Sequence, residues 1–155
     1  MELKYMQHLK DNPGLSKIIP LKGLEERKIM DLRSQFNKGK LFPKAFEEYL
    51  LVGGESEATG MVYEYEDWEE IREDCEEDLE YCGYSMERPY FVFDRLDGQS
   101  SIFYLGEEDE DPKIYILDPY GKKEGEFPLV RPSFISTFSG LINEAIHRIQ
   151  NDISF

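Results

Sequence analysis

Residues 67–105 read DWEEIREDCEEDLEYCGYSMERPYFVFDRLDGQSSIFYL, and this stretch decides the fold class. In its first part, apolar residues recur at spacings of 3, 4, 4 and 3, at positions Trp68, Ile71, Cys75, Leu79 and Cys82. This spacing predicts a helix from about residue 67 to residue 82 with a single apolar stripe, so that every acid of the segment faces solvent. Gly83 is placed to end the helix, because glycine readily adopts the left-handed conformation found there.

The second part of the stretch predicts an antiparallel hairpin. Two β-prone aromatic runs, residues 89–93 and 101–105, flank the turn dipeptide Asp97-Gly98. Their separation indicates a loop slightly longer than the minimum. A helix followed by hairpin-linked strands is typical of the α+β class, in which helices pack on an antiparallel sheet.

Working outward toward the N-terminus, the pattern predicts two helices and a short strand. The first helix covers residues 24–37, and the second begins at Pro43 and ends at Gly53-Gly54. Met61–Tyr65 is β-prone and predicts a short strand, whereas residues 1–20 are expected to be peripheral. The predicted buried positions of the two helices are Leu24, Ile29, Leu32, Phe36, Phe46, Tyr49 and Leu50.

Toward the C-terminus, the pattern predicts more strands and a last helix. Residues 113–117 form a strand, 118–121 a turn and 127–130 a short fourth strand. The last helix opens at Pro132-Ser133, with Ser133 as N-cap. Its predicted buried face is Phe134, Phe138, Leu141, Ile142, Ala145 and Ile149. No linker or repeat divides the chain, so we expect one α+β domain over 1–155 with a mostly antiparallel sheet.

The charge of the chain is unevenly distributed. The 155 residues carry a net charge of −15. Residues 64–80 hold eleven acids and one base, and residues 107–111 read EEDED, so these two segments account for the whole imbalance. The sequence therefore predicts an electrically ordinary domain with two acidic features, the outer face of a helix and a loop.

This charge narrows the classes of partner. A strongly negative protein repels the phosphates of nucleic acid and the surface of an anionic membrane, so we expect neither as a partner. The negative net charge instead favours a basic protein as the partner. No secretory leader or membrane-spanning run is visible, and two cysteines do not make a disulfide scaffold, so we expect a cytoplasmic protein.

The residues that could perform chemistry are few. Cys75 and Cys82 lie two helical turns apart, roughly 10 Å, which exceeds the reach of a disulfide. His8 and His147 fall in different predicted helices with no cysteine or aspartate pattern nearby. Residues 94–98 and 107–111 offer oxygen ligands to Ca²⁺, but a turn and a solvated loop fit them better. We therefore expect no catalytic residues, no metal, no cofactor and no enzyme activity.

Several short motifs, taken in order, resemble the SUKH superfamily. The resemblance extends from about residue 24 to residue 146, and two departures are Phe42 between Leu41 and Pro43, and Val52-Gly53 where Asn-Gly is common. The matching motifs are Leu41-Phe42-Pro43-Lys44-Ala45-Phe46, Tyr49-Leu50, Gly53-Gly54-Glu55, Asp97-Gly98, Phe103-Tyr104-Leu105-Gly106, Ile114-Tyr115-Ile116 and Ser133-Phe134.

The resemblance implies an α+β domain with a binding role. Bacterial members of the superfamily are mainly immunity proteins that neutralise polymorphic toxins, often nucleases, and fungal relatives regulate cell-wall assembly. The resemblance therefore implies an immunity protein that binds a cognate toxin domain. The alternative is an intracellular regulatory scaffold that binds a housekeeping protein.

The two acidic segments are the predicted binding surface for such a partner. A charged helix face is usually only a solvated surface, but like charges one turn apart weaken a helix by about 0.2–0.5 kcal/mol per pair, and a basic partner could recover that cost. Tyr65, Tyr81, Tyr84 and Tyr104 lie close in sequence to the acids and could add aromatic contacts. The predicted binding residues are Glu69, Glu70, Glu73, Asp74, Glu76, Glu77, Glu107, Glu108, Asp109, Glu110 and Asp111.

Overall fold

The computed structural model describes residues 2–154, which form six α-helices, one 3₁₀ turn and a four-stranded sheet. The helices are α1 (Gln7–Lys10), α2 (Glu26–Asn37), α3 (Lys44–Gly53), α4 (Trp68–Cys82), α5 (Pro119–Lys123) and α6 (Phe138–Gln150), with the 3₁₀ turn at Tyr65–Asp67. The strands are β1 (Tyr90–Leu96), β2 (Gln99–Tyr104), β3 (Lys113–Leu117) and β4 (Val130–Thr137). The strands pair antiparallel in the order β1-β2-β3-β4, which confirms the predicted α+β class. In the described residues, each helix is too short or too polar to cross a bilayer.

An aromatic cluster joins the helices to one face of the sheet. The ring of Phe46 in α3 lies 4.9 Å from Phe91, 5.1 Å from Phe103 and 5.3 Å from Phe138, centroid to centroid. Trp68, at the start of α4, contacts Phe46 and Phe91 and is fully buried. Each buried ring removes a large apolar area from water, so this cluster fixes where α4 begins.

The apolar stripe of α4 is confirmed. Trp68, Ile71, Cys75 and Leu79 are buried, Cys82 is half-buried, and Gly83 ends the helix with a φ of 80°. The helices predicted at residues 24–37 and from Pro43 are present with starts within two residues of expectation. Local periodicity was sufficient here because each helix buries one continuous stripe.

The hairpin is tighter than predicted. Leu96 pairs with Gln99, so Asp97 and Gly98 alone form the loop. Both have positive φ, 50° and 78°, the conformation that a two-residue hairpin turn with the matching twist requires. The predicted longer loop is wrong, because the strands continue to the turn through a bulge between Val92 and Asp94.

The predicted strand at Met61–Tyr65 is wrong. The segment lies beside β1, where the N–H of Tyr63 donates to the carbonyl of Phe93 at 2.9 Å. The chain then enters the 3₁₀ turn at Tyr65. The β-prone residues form no strand here because no ladder of backbone pairs develops beyond that contact.

The C-terminal third differs most from expectation. The predicted turn at 118–121 begins α5, where the Asp118 carboxylate accepts the N–H of Gly121 at 2.9 Å. The fourth strand is not 127–130 but Val130–Thr137, so Ser133 is not a helix cap. Pro132 pairs with Tyr115 in this edge strand, where its missing N–H is tolerated.

The last helix accordingly starts later than predicted. Thr137 caps α6 by accepting the N–H of Gly140 at 3.2 Å. Phe134, predicted to be buried in a helix, is fully exposed on β4, and Ile149 is half-buried. The remaining predicted face is buried: Phe138, Leu141, Ile142 and Ala145. Pairing with β3 overrode the local helix-start signal of Pro132-Ser133.

The N-terminal segment contributes to the core, although residues 1–20 were expected to be peripheral. Met6 and Leu9 are buried. The buried carboxylate of Glu48 in α3 accepts the backbone N–H groups of Tyr5 at 2.8 Å and Met6 at 3.1 Å. These two charge-assisted hydrogen bonds attach the segment to α3.

Candidate protein-binding surface

The acids of α4 form the acidic helix face, defined as Glu69, Glu70, Glu73, Asp74, Glu76 and Glu77. Five of these six residues are exposed and Asp74 is half-buried. The buried stripe on the opposite side of α4 holds the helix so that this face points outward. Among the described residues, a single cation contacts the face: Arg72 bonds Glu76 at 3.0 Å, one turn away.

One acid of α4 does not face solvent, contrary to prediction. Asp78 forms a largely buried ion pair with Arg95 of β1. It also accepts the hydroxyl hydrogen of Tyr120 at 2.7 Å, and this bond raises the pKa of Tyr120 to about 12. Asp78 therefore anchors α4 to β1 and α5.

The acidic loop, residues 107–111, has a different environment. Glu110 accepts hydrogen bonds from Lys4 at 2.7 Å and Tyr5 at 2.8 Å, and Glu107 pairs with Arg88. The bonds from Lys4 and Tyr5 hold the pKa of Glu110 below its usual value. This part of the loop is already bound by its own chain.

Asp111 has a structural contact as well. Its carboxylate accepts the backbone N–H of Ser139 at 2.9 Å and the Ser139 hydroxyl, at the first turn of α6. Glu108 and Asp109 are exposed and have no such contact in the part of the chain that the structure describes. The structure thus separates the eleven predicted binding residues into an open helix face and a loop mostly engaged in the fold.

The tyrosines predicted near the acids are not equally accessible. Tyr81 is 71% exposed, and Tyr65 and Tyr84 are half-buried. Tyr104 is buried, with only 9% of its surface exposed, and the guanidinium of Arg88 covers its ring. Tyr104 is therefore not a contact residue. Sequence reasoning missed Tyr120, whose ring lies 6.2 Å from that of Tyr81. No local sequence pattern marks this pair, because it depends on where α5 packs.

A group of carboxylates at the start of α4 was also not predicted. Oxygens of Glu57, Glu64 and Asp67 lie within 4.8 Å of one another. Burial, and secondarily the charge of Glu57, raise the pKa of nearby Asp94 to about 6. Burial and the charge of Asp67 raise the pKa of Glu64. Carboxylate oxygens so close together are ligands of the kind that a hard cation takes. Of residues 94–98, which were considered from the sequence, 94–96 lie in β1 and only 97–98 form the hairpin turn.

The cysteines and histidines lie apart from this surface. Cys75 is buried and Cys82 half-buried, and both are free. Burial raises the pKa of the Cys75 thiol, which makes it a poor nucleophile. His8 and His147 are exposed, and the backbone carbonyl of each accepts a bond from the side-chain amide of an asparagine one turn along, Asn12 at 2.7 Å and Asn151 at 2.8 Å.

Comparisons of the chain with protein-family models, curated proteins and solved structures found no match. The resemblance to the SUKH superfamily therefore rests on the sequence motifs alone. The geometry and charge of the surface are the structural observations on which a functional proposal can be based.

Proposed function

We propose that this chain is a non-catalytic binding protein whose acidic helix face captures a basic partner protein. The observation that supports this most directly is the row of exposed carboxylates along α4, which the chain's own cations leave largely uncompensated. A helix held by a buried stripe presents these charges on a rigid element, so little ordering is needed on binding.

The energetics of the helix support the same proposal. Glu69, Glu73 and Glu77 follow one another at intervals of one turn, and each such like-charge pair costs about 0.2–0.5 kcal/mol. A solvated face with mixed charges would be equally soluble without this cost. A basic partner would recover it and would also be attracted over a distance, which raises association rates about 10–10³-fold at low salt.

The class of partner follows from the resemblance. As an immunity protein, the chain would bind a toxin domain, and a nuclease toxin has a basic substrate cleft that carboxylates could occupy in place of phosphates. We place the protein in the cytoplasm, and its two free cysteines are compatible with a reducing compartment. The alternative function is a regulatory scaffold related to the fungal cell-wall regulators.

The test uses the protein encoded by any large toxin-like gene that lies directly upstream of the gene for this chain. The two proteins are produced together and purified as a pair. We expect a stoichiometric complex whose association rate falls about tenfold or more, at low salt, in the variant Glu69→Lys/Glu73→Lys/Glu77→Lys. The matched control, Glu87→Lys/Glu124→Lys/Glu126→Lys, changes three exposed acids outside α4 by the same charge. Equal rates for both variants would show that net charge, and not the helix face, attracts the partner. The absence of a toxin-like neighbour would favour the regulatory alternative.

A further inference from the structure

A groove on one side of α4 combines a cavity with carboxylates that form no ion pair in the described chain. The hairpin groove lies between α4 and the tip of the β1–β2 hairpin and has a volume of about 510 Å³. Its walls include the carboxylates of Asp67, Glu70, Asp74 and Asp97 and the apolar side chains of Ile71 and Leu96. In the described chain, none of the four carboxylates lies within ion-pair distance of a cation.

The cation that lines the groove does not neutralise it. Arg95 is already paired with Asp78 and donates to Ser100. Tyr63, also in the wall, donates its hydroxyl hydrogen to the backbone carbonyl of Arg95 at 3.1 Å and adds no positive charge. A groove on the other side of α4 has a similar volume, about 500 Å³, and four acids line it too, but it has two cations in its wall, Arg27 and Lys28, where the hairpin groove has one. The hairpin groove is the more negative of the two.

A concave acidic site differs physically from the convex outer face of α4. Low-dielectric walls focus the field of carboxylates in a cleft, whereas carboxylates on a convex face are screened by water and salt. A guanidinium is the cation that fits best, because its planar fork bonds two carboxylate oxygens while its faces pack on apolar side chains. Leu96, which is 71% exposed at the groove, offers such a contact.

The surface beyond the groove extends the same contact. Along one flank of α4, Asp74, Asp78 and Tyr81 follow at spacings of 4 and 3. Tyr81 and Tyr120 therefore lie at the C-terminal end of the flank that begins at the groove. Exposed tyrosines beside an arginine-binding site have the composition of interface hot spots.

We propose that the hairpin groove receives an arginine side chain from a loop of the partner protein, with Tyr81 and Tyr120 contacting the same loop. This inference rests on the proposed function and refines it. Two residues of the acidic helix face, Glu70 and Asp74, also line the groove, and they hold the partner in contact. The rest of that face, called the outer face here and including Glu73 and Glu77, attracts the partner at long range.

The test compares two matched variants against a defined probe, hexa-arginine with blocked ends. Glu70→Gln/Asp74→Asn neutralises the groove, and Glu73→Gln/Glu77→Gln neutralises the outer face with the same spacing and the same change in charge. Peptide affinity is measured by calorimetry at low ionic strength, and amide chemical shifts of the labelled full chain locate the site. We expect about a tenfold weaker affinity for the groove variant and about a twofold loss for the outer-face variant. The shifts should concentrate at residues 63–74 and 95–97.

Each other outcome has a definite reading. Equal losses in the two variants would overturn the groove while leaving recognition by the acidic face intact. Equal affinity for hexalysine and hexa-arginine would overturn arginine selectivity. If calcium alone, added without peptide, saturates the chemical-shift changes of the groove residues, the groove is a cation site and the proposal is wrong. No binding of hexa-arginine by the unaltered chain would contradict both the groove and the proposed function.

Discussion

The acidic helix face and the acidic loop have similar compositions, but their carboxylates contact different things. On α4, the carboxylates of Glu69, Glu73 and Glu77 point into water. In the loop, Glu110 and Asp111 bond to the N-terminal segment and to α6. The density of acids in a sequence therefore does not distinguish carboxylates that are exposed from carboxylates that already bond to residues of their own chain. The distinction depends on long-range contacts, and the following changes test it.

The largest effect should come from removing the anchor beneath the helix face. Trp68→Ala would leave a cavity among Phe46, Phe91 and the rest of the aromatic cluster, and we expect a loss of about 3–5 kcal/mol in the free energy of unfolding. Urea denaturation followed by circular dichroism measures this loss. A change below about 1 kcal/mol would mean that α4 does not depend on its buried stripe.

A smaller effect is expected from Asp94 of β1, a third kind of acid that is half-buried. Its pKa rises from 3.8 to about 6 in the fold, mainly through burial. The folded state therefore binds this proton more tightly than the unfolded state, so the contribution of Asp94 to stability falls as pH rises from about 4 to about 6 and is then constant.

Asp94→Asn should remove that slope and raise the unfolding free energy at neutral pH by about 1–3 kcal/mol. Urea midpoints measured across this pH range provide the test. If the parent and the variant share the same pH dependence, Asp94 is not the carboxylate responsible.

Within the acidic loop, Asp111 and Asp109 should behave differently. Asp111→Ala removes the acceptor for the N–H of Ser139 at the start of α6, and we expect a loss of about 1 kcal/mol, as for a helix cap. Asp109→Ala, at an exposed neighbouring position, should change stability by less than about 0.5 kcal/mol. Thermal unfolding compares the two, and similar losses would contradict a structural role specific to Asp111.

The smallest effect should have the opposite sign. Glu77→Lys replaces a like-charge pair with Glu73 by a favourable pair one turn apart, and we expect a gain of about 0.5 kcal/mol at low salt. Glu108→Lys in the loop has no helical partner and should leave stability unchanged. The gain should disappear in high salt, since exposed charges are screened. A loss of stability in Glu77→Lys would mean that the outer face contributes to the fold.

The sequence was sufficient where structure depends on near neighbours. The stripe of α4, the helices α2 and α3 and the position of the hairpin all follow from periodicity and turn chemistry. It was insufficient for β4, because Ser133 is a good helix cap in isolation and only pairing with β3 makes it part of a strand.

The same limit applies to the candidate surface. Glu110 bonds to Lys4 across 106 positions, and Asp78 bonds to Tyr120 across 42. No local pattern contains such pairs. The hairpin groove was likewise not predictable, because it exists only where the hairpin tip meets the flank of α4.

The attachment of the N-terminal segment has a consequence for synthesis on the ribosome. Lys4 and Tyr5 bond to Glu110, and Asn12 accepts a bond from Gln150 of α6 at 2.7 Å, so α1 can dock fully only when residue 150 has been synthesised. At about 5–20 residues per second, residues 4–12 lack part of their final contacts for roughly 7–30 seconds. During that time Met6 and Leu9 remain outside the completed core, which forms only when residue 150 has left the ribosome.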